Sequence, residues 1–216
     1  MKTILATVYA VNPYKGSEDG TGWNFIIQIA RFNKIIAITR ENNEPFINQF
    51  MKENPSDLYR NITFLYFDLP YYLRFWKNKS RGAMLYFYIW QFSIPSFVKK
   101  QRIQYDIVHN INFHNDWTPS WLWRLKKPMV WGPIGHHHKI PKEYILKPYG
   151  INAFINDRLK WYLKKAFWNL DVFLKITKSN ASKILCMNSS VQKVLRLNED
   201  KIVHLSAIAA ESPFPI

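Results

Sequence analysis

Three stretches carry residue types that can act on a polar ligand. The first is Gly16-Ser17-Glu18-Asp19-Gly20-Thr21-Gly22-Trp23, behind an apolar opening segment. Glycines permit a tight turn, and a strand, a turn and a helix N-terminus together aim backbone N–H groups at an anion. The segment is not a P-loop, because no Gly-Lys-Ser/Thr closes it. Nor does it have the Gly-x-Gly-x-x-Gly spacing of a dinucleotide fingerprint. Thr21 is a candidate helix cap and Glu18 a candidate partner for a ligand hydroxyl. Ligand contact and a purely structural turn both stay open here.

The second stretch is His109-Asn110-Ile111-Asn112-Phe113-His114-Asn115-Asp116-Trp117. A neutral imidazole can bridge sugar hydroxyls, and a carboxylate can accept from them. His109 suits a core histidine as well as a ligand contact. Asp116 is expected to N-cap a following helix. The third is Trp131-Gly132-Pro133-Ile134-Gly135-His136-His137-His138. Consecutive histidines do not form the i, i+4 pair that a helix presents to zinc, so no metal site is expected. One or two of these imidazoles facing a cleft is the alternative to a solvated loop.

These stretches need a scaffold, and the hydrophobic pattern supplies one. Strand candidates are Thr3 to Tyr9, Lys34 to Thr39, Ile62 to Phe67, Tyr105 to His109, Pro128 to Trp131, Lys183 to Met187 and Lys201 to Leu205. Helical patterns lie between them. One covers Gly22 to Phe32, with Trp23, Ile26, Ile27 and Ala30 on one face, and another follows Glu41. A third runs from Ala83 to Lys100, with Pro95 expected to kink or end it. A fourth starts near Asp116, with Pro119 in its first turn. The longest spans Asn152 to Thr177, with Leu159, Leu163, Phe167, Leu170 and Leu174 on one stripe, and a short one covers Ser190 to Leu197. Such alternation predicts an α/β fold: a doubly wound, Rossmann-like parallel sheet with helices on both faces. Ligands bind such sheets in loops at the carboxyl ends of the strands. The loops Asn12 to Thr21, Asn110 to Asp116 and Gly132 to Ile140 should therefore open onto one sheet edge.

Composition narrows the function classes. The chain has 216 residues, 48% of them apolar, with 9 Trp, 12 Tyr and 15 Phe, which excludes a disordered polypeptide. Its single cysteine, Cys186, cannot form an internal disulfide. The apolar opening is short and β-rich and reads as a first strand, not a signal peptide. No stretch reaches the length of a membrane span; the longest, Ala83 to Phe92, is about half of one. Net charge is +15, from 30 Lys+Arg against 15 Asp+Glu, which calls for an anionic partner. Arg74, Trp76 and Lys77, in a stretch running to Arg81, and Lys160, Lys164 and Lys165 beside Trp161 and Tyr162, mix rings with cations. That mixture suits an anionic membrane surface, with a solvated face over a core helix as the alternative. No nucleic-acid recognition signature accompanies it, so no nucleic-acid partner is expected.

The first stretch, from Asn12 to Trp23, resembles the opening loop of bacterial family-four glycosyltransferases, which read P-x-x-G-S-E-x-G-x-G-W. Asn112-Phe113-His114-Asn115-Asp116-Trp117-Thr118-Pro119-Ser120 looks like the next landmark of that subgroup. Trp131-Gly132-Pro133-Ile134-Gly135 is similar to its W-G-P-I-G-G-G segment. The resemblance covers nearly the whole chain, as the amino-terminal half of such an enzyme. It implies a GT-B architecture in which two Rossmann-like domains face across a cleft. The amino-terminal domain holds the acceptor, and the carboxy-terminal domain holds the nucleotide-diphosphate sugar. The family retains anomeric configuration and generally needs no metal or other cofactor. Carried over, Gly16, Ser17, Glu18, Gly20 and Gly22 form the donor-phosphate loop. Asp116, Gly132, Gly135 and His137 line the sugar and acceptor cleft.

Two departures follow. Relatives place a histidine at the end of the fifth strand, where this chain has Gly132-Pro133-Ile134, and a related H-D-W-H motif has its last histidine where this chain has Thr118. His136 is then the first candidate catalytic imidazole and His114 the second. The chain also stops at Ser212-Pro213-Phe214-Pro215-Ile216, about where an interdomain linker would begin. The expectation is therefore one acceptor-side domain, 1–216, lacking its carboxy-terminal donor domain and inactive alone. In a complete hexosyltransferase it would pass sugar to a glycan or lipid-linked acceptor in cell-surface polysaccharide biosynthesis. The expected location is cytoplasmic, on the inner face of the plasma membrane. The alternatives are a stand-alone binding module for a phosphorylated glycan or lipid, and a basic nucleic-acid-binding protein.

Overall fold

The computed structural model describes residues 1–77, 82–111 and 114–205. Its centre is one parallel sheet of seven strands: β1 (Thr3–Thr7), β2 (Lys34–Thr39), β3 (Ile62–Tyr66), β4 (Ile107–Asn110), β5 (Met129–Ile134), β6 (Ala181–Cys186) and β7 (Ile202–His204). The spatial order is β3-β2-β1-β4-β5-β6-β7. The chain winds outward from β1 to β3, then returns to the other side of β1 as β4. The sheet is doubly wound, and the winding reverses between β1 and β4, the position where open α/β sheets bind ligands. Each expected strand is present, most within one to three residues of its expected ends.

Side chains alternate across the sheet. Leu5 and Ile38 enter one apolar core, while Ala6, Ile35 and Ala37 enter a second on the other face. Helices α1 (Ser17–Ala30) and α2 (Glu44–Glu53) cover the second core through Trp23, Ile26, Ala30 and Ile47. On the opposite face lie α3 (Ala83–Gln101), α4 (Glu143–Leu170), α5 (Val172–Asn180) and α6 (Ser189–Leu195). They contribute Tyr86, Phe87, Trp90, Ile94, Trp168, Leu174, Val191 and Leu195. β1 is a central strand bonded to β2 and β4. Cys186 is buried and free, and burial pushes its thiol up to about 11. No described helix is long and apolar enough to cross a membrane.

Four expectations change. Pro95 does not end α3, which continues to Gln101, where Arg102 turns left-handed. No α-helix starts near Asp116; only a short 3-10 turn at Leu122–Leu125 follows. The long helix begins at Glu143, breaks at Gly150 (φ 79°) and ends at Leu170. Asp171 then caps α5, its Oδ1 accepting from the N–H groups of Phe173 (2.7 Å) and Leu174 (3.0 Å). Nor is the expected stripe a core stripe: Leu174 is buried, but Leu159, Leu163 and Leu170 are exposed. The segments Asn78 to Arg81, Asn112-Phe113 and Ser212 to Ile216 lie outside the described residues.

Candidate functional site

The loops after β1, β4 and β5 leave the carboxyl edge together and touch one another. Glu18, in the first turn of α1, accepts from the backbone N–H of His114 through Oε1 (3.2 Å). That oxygen also lies 3.6 Å from His114 Nδ1. The contact spans the winding reversal between β1 and β4. His114 O in turn accepts from Gly135 N (3.1 Å), and Asn115 pairs with Gly135 as a parallel bridge. The third loop is thereby fixed to the second.

The best-defined polar pair is His136 with Asp116. Nδ1 of His136 lies 2.7 Å from Oδ2 of Asp116, and the two residues are 7% and 3% exposed. An acceptor on Nδ1 holds the proton there and leaves the Nε2 lone pair as the working atom. The ring is braced by Trp168, at 5.0 Å between centroids, and Asn188 Nδ2 donates to the His136 carbonyl (3.2 Å). Asp116 is thus an orienting partner twenty residues away in sequence, not an N-cap. The local turn role falls to Asn115, whose Oδ1 accepts from Thr118 N (3.0 Å) and Thr118 Oγ1 (2.6 Å).

His114 differs. Burial pushes its pKa down and the Glu18 carboxyl up, so both are biased toward neutral forms. Its Nε2 is buried with no hydrogen-bond partner among the described residues. His109 is a core histidine: its Nε2 bonds the Gly132 carbonyl (2.8 Å), and burial pushes its pKa down to about 4.

The glycines divide by role. A Cβ on Gly22 would lie 2.2 Å from the Ala10 carbonyl, and one on Gly20 would lie 2.5 Å from that of Lys15. Both sit inside α1, where their lack of a side chain lets the helix lie against the preceding loop. Gly132 has φ +116° and a Cβ position 2.5 Å from the Leu185 carbonyl, so its role is also backbone geometry. Gly135 lies beside Met187, and Gly16 faces open space at the start of α1. Thr21 lies within α1, its Oγ1 donating to Ser17 O (2.8 Å), and caps nothing. The first turn of α1 carries Ser17, Glu18 and Asp19; Asp19 places negative charge at the positive end of the helix dipole, while burial biases Glu18 toward its neutral form.

Positive charge enters the cleft from α4 instead. Lys160 and Lys164 line a cavity of about 510 Å³ with Glu18, His114, Asn115 and Trp117. They also line an adjoining one of about 560 Å³ with His136, His138, Lys139 and Trp161. His137 borders both. Lys165 is exposed, its ammonium over the Trp161 ring at 5.6 Å. Sequence reasoning assigned these three lysines to one surface; two of them overhang the cleft. Arg74, Trp76 and Lys77 form a separate cluster, in which Arg74 pairs with Asp68 (3.3 Å) and Trp76 packs on Tyr86. Among the described residues no group of three His, Cys, Asp or Glu side chains can hold a metal ion. The sequence matches no protein-family model and no curated protein.

Proposed function

We propose that this chain is the acceptor-side half of a retaining family-four-type glycosyltransferase that moves sugar from a nucleotide-diphosphate donor to a glycan or lipid-linked acceptor. The observation that carries the reading is the contact of three loops at the winding reversal, with an oriented imidazole and two lysines facing shared space. In this reading Lys160 and Lys164 meet the diphosphate charge, which α1 with its acidic first turn is poorly suited to do. Nε2 of His136, held by Asp116, hydrogen-bonds a sugar hydroxyl or accepts its proton. His114, whose pKa burial pushes down, offers a second imidazole in the adjoining cavity. A second Rossmann-like domain supplies the nucleotide pocket.

Membrane docking belongs to the same proposal. Ile151, Ile155, Leu159, Tyr162, Leu163 and Leu170 are exposed along α4, beside Lys160, Lys164 and Lys165. An apolar stripe flanked by cations suits an anionic bilayer surface close to a lipid-linked acceptor.

Histidine-ring NMR of the chain assembled with a donor domain, during titration with uridine- and guanosine-diphosphate sugars, tests the cleft. Resonances of His114 and His136 shift together if the reading is right. Unmoved rings at saturating nucleotide sugar would overturn it.

A further inference from the structure

A third cavity lies on the same sheet edge, over the carboxyl ends of β2 and β3. Its volume is about 470 Å³, and Arg40, Arg74, Lys77, Asp68, Tyr71 and Phe75 line it. Three cations face one carboxylate there. That carboxylate is already committed: Asp68 Oδ2 pairs with Arg74 (3.3 Å), and its Oδ1 accepts from the Tyr86 hydroxyl.

Arg40 and Lys77 share the field of that one carboxylate but make no direct ion pair among the described residues. The Arg40 guanidinium carbon sits over the Tyr9 ring, at 4.1 Å from its centroid, with Nε donating to the Tyr9 carbonyl (3.2 Å). Its two terminal nitrogens have no hydrogen bond among the described residues. A guanidinium held over a ring with a free nitrogen fork is preorganised for bidentate contact with an oxyanion. Lys77 sits over the Tyr86 ring at 5.2 Å and has no ion pair among the described residues. Burial, then the charge of Arg40, push its pKa down; Asp68 opposes this in part, and Arg74 adds to it. The cations therefore repel one another across a space that an anion would fill. Tyr71 and Phe75, both exposed, stand at the mouth, where rings suit the apolar face of a sugar.

We infer that this cavity binds the phosphate of a phosphorylated sugar, with Arg40 and Lys77 on the phosphate oxygens and Tyr71 and Phe75 against the ring. The site is separate from the His136 cleft and does not depend on the transferase reading. The phosphate can belong to a free sugar phosphate or to a lipid head group.

Two arms separate the sources: calorimetry with glucose 1-phosphate against glucose, and flotation with phosphatidic acid vesicles against phosphatidylglycerol vesicles. Lys77→Gln and Arg40→Gln are compared with the remote Lys99→Gln, with circular dichroism reporting the fold. Methyl-labelled lysine NMR on the otherwise unaltered chain gives a reading independent of any substitution. Saturable binding of glucose 1-phosphate but not glucose, weakened about tenfold or more by either cavity variant, supports a soluble ligand. Selective phosphatidic acid binding lost in the same variants supports a lipid-borne one. In either case the anion raises the Lys77 pKa. Binding insensitive to both variants, no preference for the phosphorylated probe, or an unmoved Lys77 resonance would overturn the inference.

Discussion

Replacing Asp116 by Ala removes the one polar partner that His136 Nδ1 has among the described residues. Both side chains are about 5% exposed, so water cannot substitute for the lost contact. A hydrogen bond involving a charged group contributes about 1.5–3 kcal/mol, and an orphaned buried donor costs about 1–3 kcal/mol. We therefore expect Asp116→Ala to lower stability by about 2–3 kcal/mol. For a chain of this size that corresponds to a fall in Tm of about 4–12 °C. Asp116→Asn keeps an acceptor oxygen and loses only the charge, so about half that loss is expected. Urea unfolding at pH 7 of Asp116→Ala, His136→Ala and the double variant gives the coupling directly. A coupling of about 1.5 kcal/mol or more is the expected result. Additivity within about 0.5 kcal/mol would show that the two side chains do not interact, and the oriented-imidazole argument would fall.

Gly22→Ala places a methyl group 2.2 Å from the Ala10 carbonyl, and a loss of about 1–3 kcal/mol is expected in thermal unfolding. Gln91 is 1% exposed with neither amide atom bonded among the described residues; Gln91→Leu is expected to raise stability by about 1 kcal/mol. His109 has a folded pKa of about 4 against an ordinary 6.5, so the unfolded chain binds its proton first as pH falls. The neutral imidazole's contribution is whole above pH 6.5, and stability drops by about 3 kcal/mol on the way to pH 4. Urea midpoints across that range check this, and His109→Gln should flatten the slope. Neutralising Lys160, Lys164 and Lys165 to Gln is expected to weaken binding to anionic liposomes at low salt by about 1 kcal/mol per residue; a parent chain that ignores such liposomes refutes the docking proposal.

The fold was legible because parallel strands are buried on both faces and read as short apolar runs. Lys34–Thr39 is the clearest case, with expected and observed bounds the same. Convergence of the three loops followed from the rule about carboxyl edges. What was not legible depended on contacts distant in sequence. Asp116 looked like a cap because local chemistry offered no other partner, and His136 reaches it only after β5 returns beside β4. Helical spacing on α4 identified an apolar face but carried no information on whether anything covers it. Gly20 and Gly22 read equally as ligand-contacting or structural until the Lys15 and Ala10 carbonyls were placed against them. The Arg40 cavity was legible only in part: Arg74 and Lys77 stood out as a ring-and-cation stretch, but Arg40, at the end of β2, joins them only once β2 and β3 lie side by side.

The central claim is transfer of sugar through the His136 cleft. Its most direct test is radiolabel transfer from nucleotide-diphosphate sugars to lipid-extractable acceptors by this chain combined with a donor domain. The account predicts label incorporation with retained anomeric configuration, reduced about a hundredfold or more by His136→Ala. No transfer from any nucleotide sugar, or transfer indifferent to His136, would contradict it.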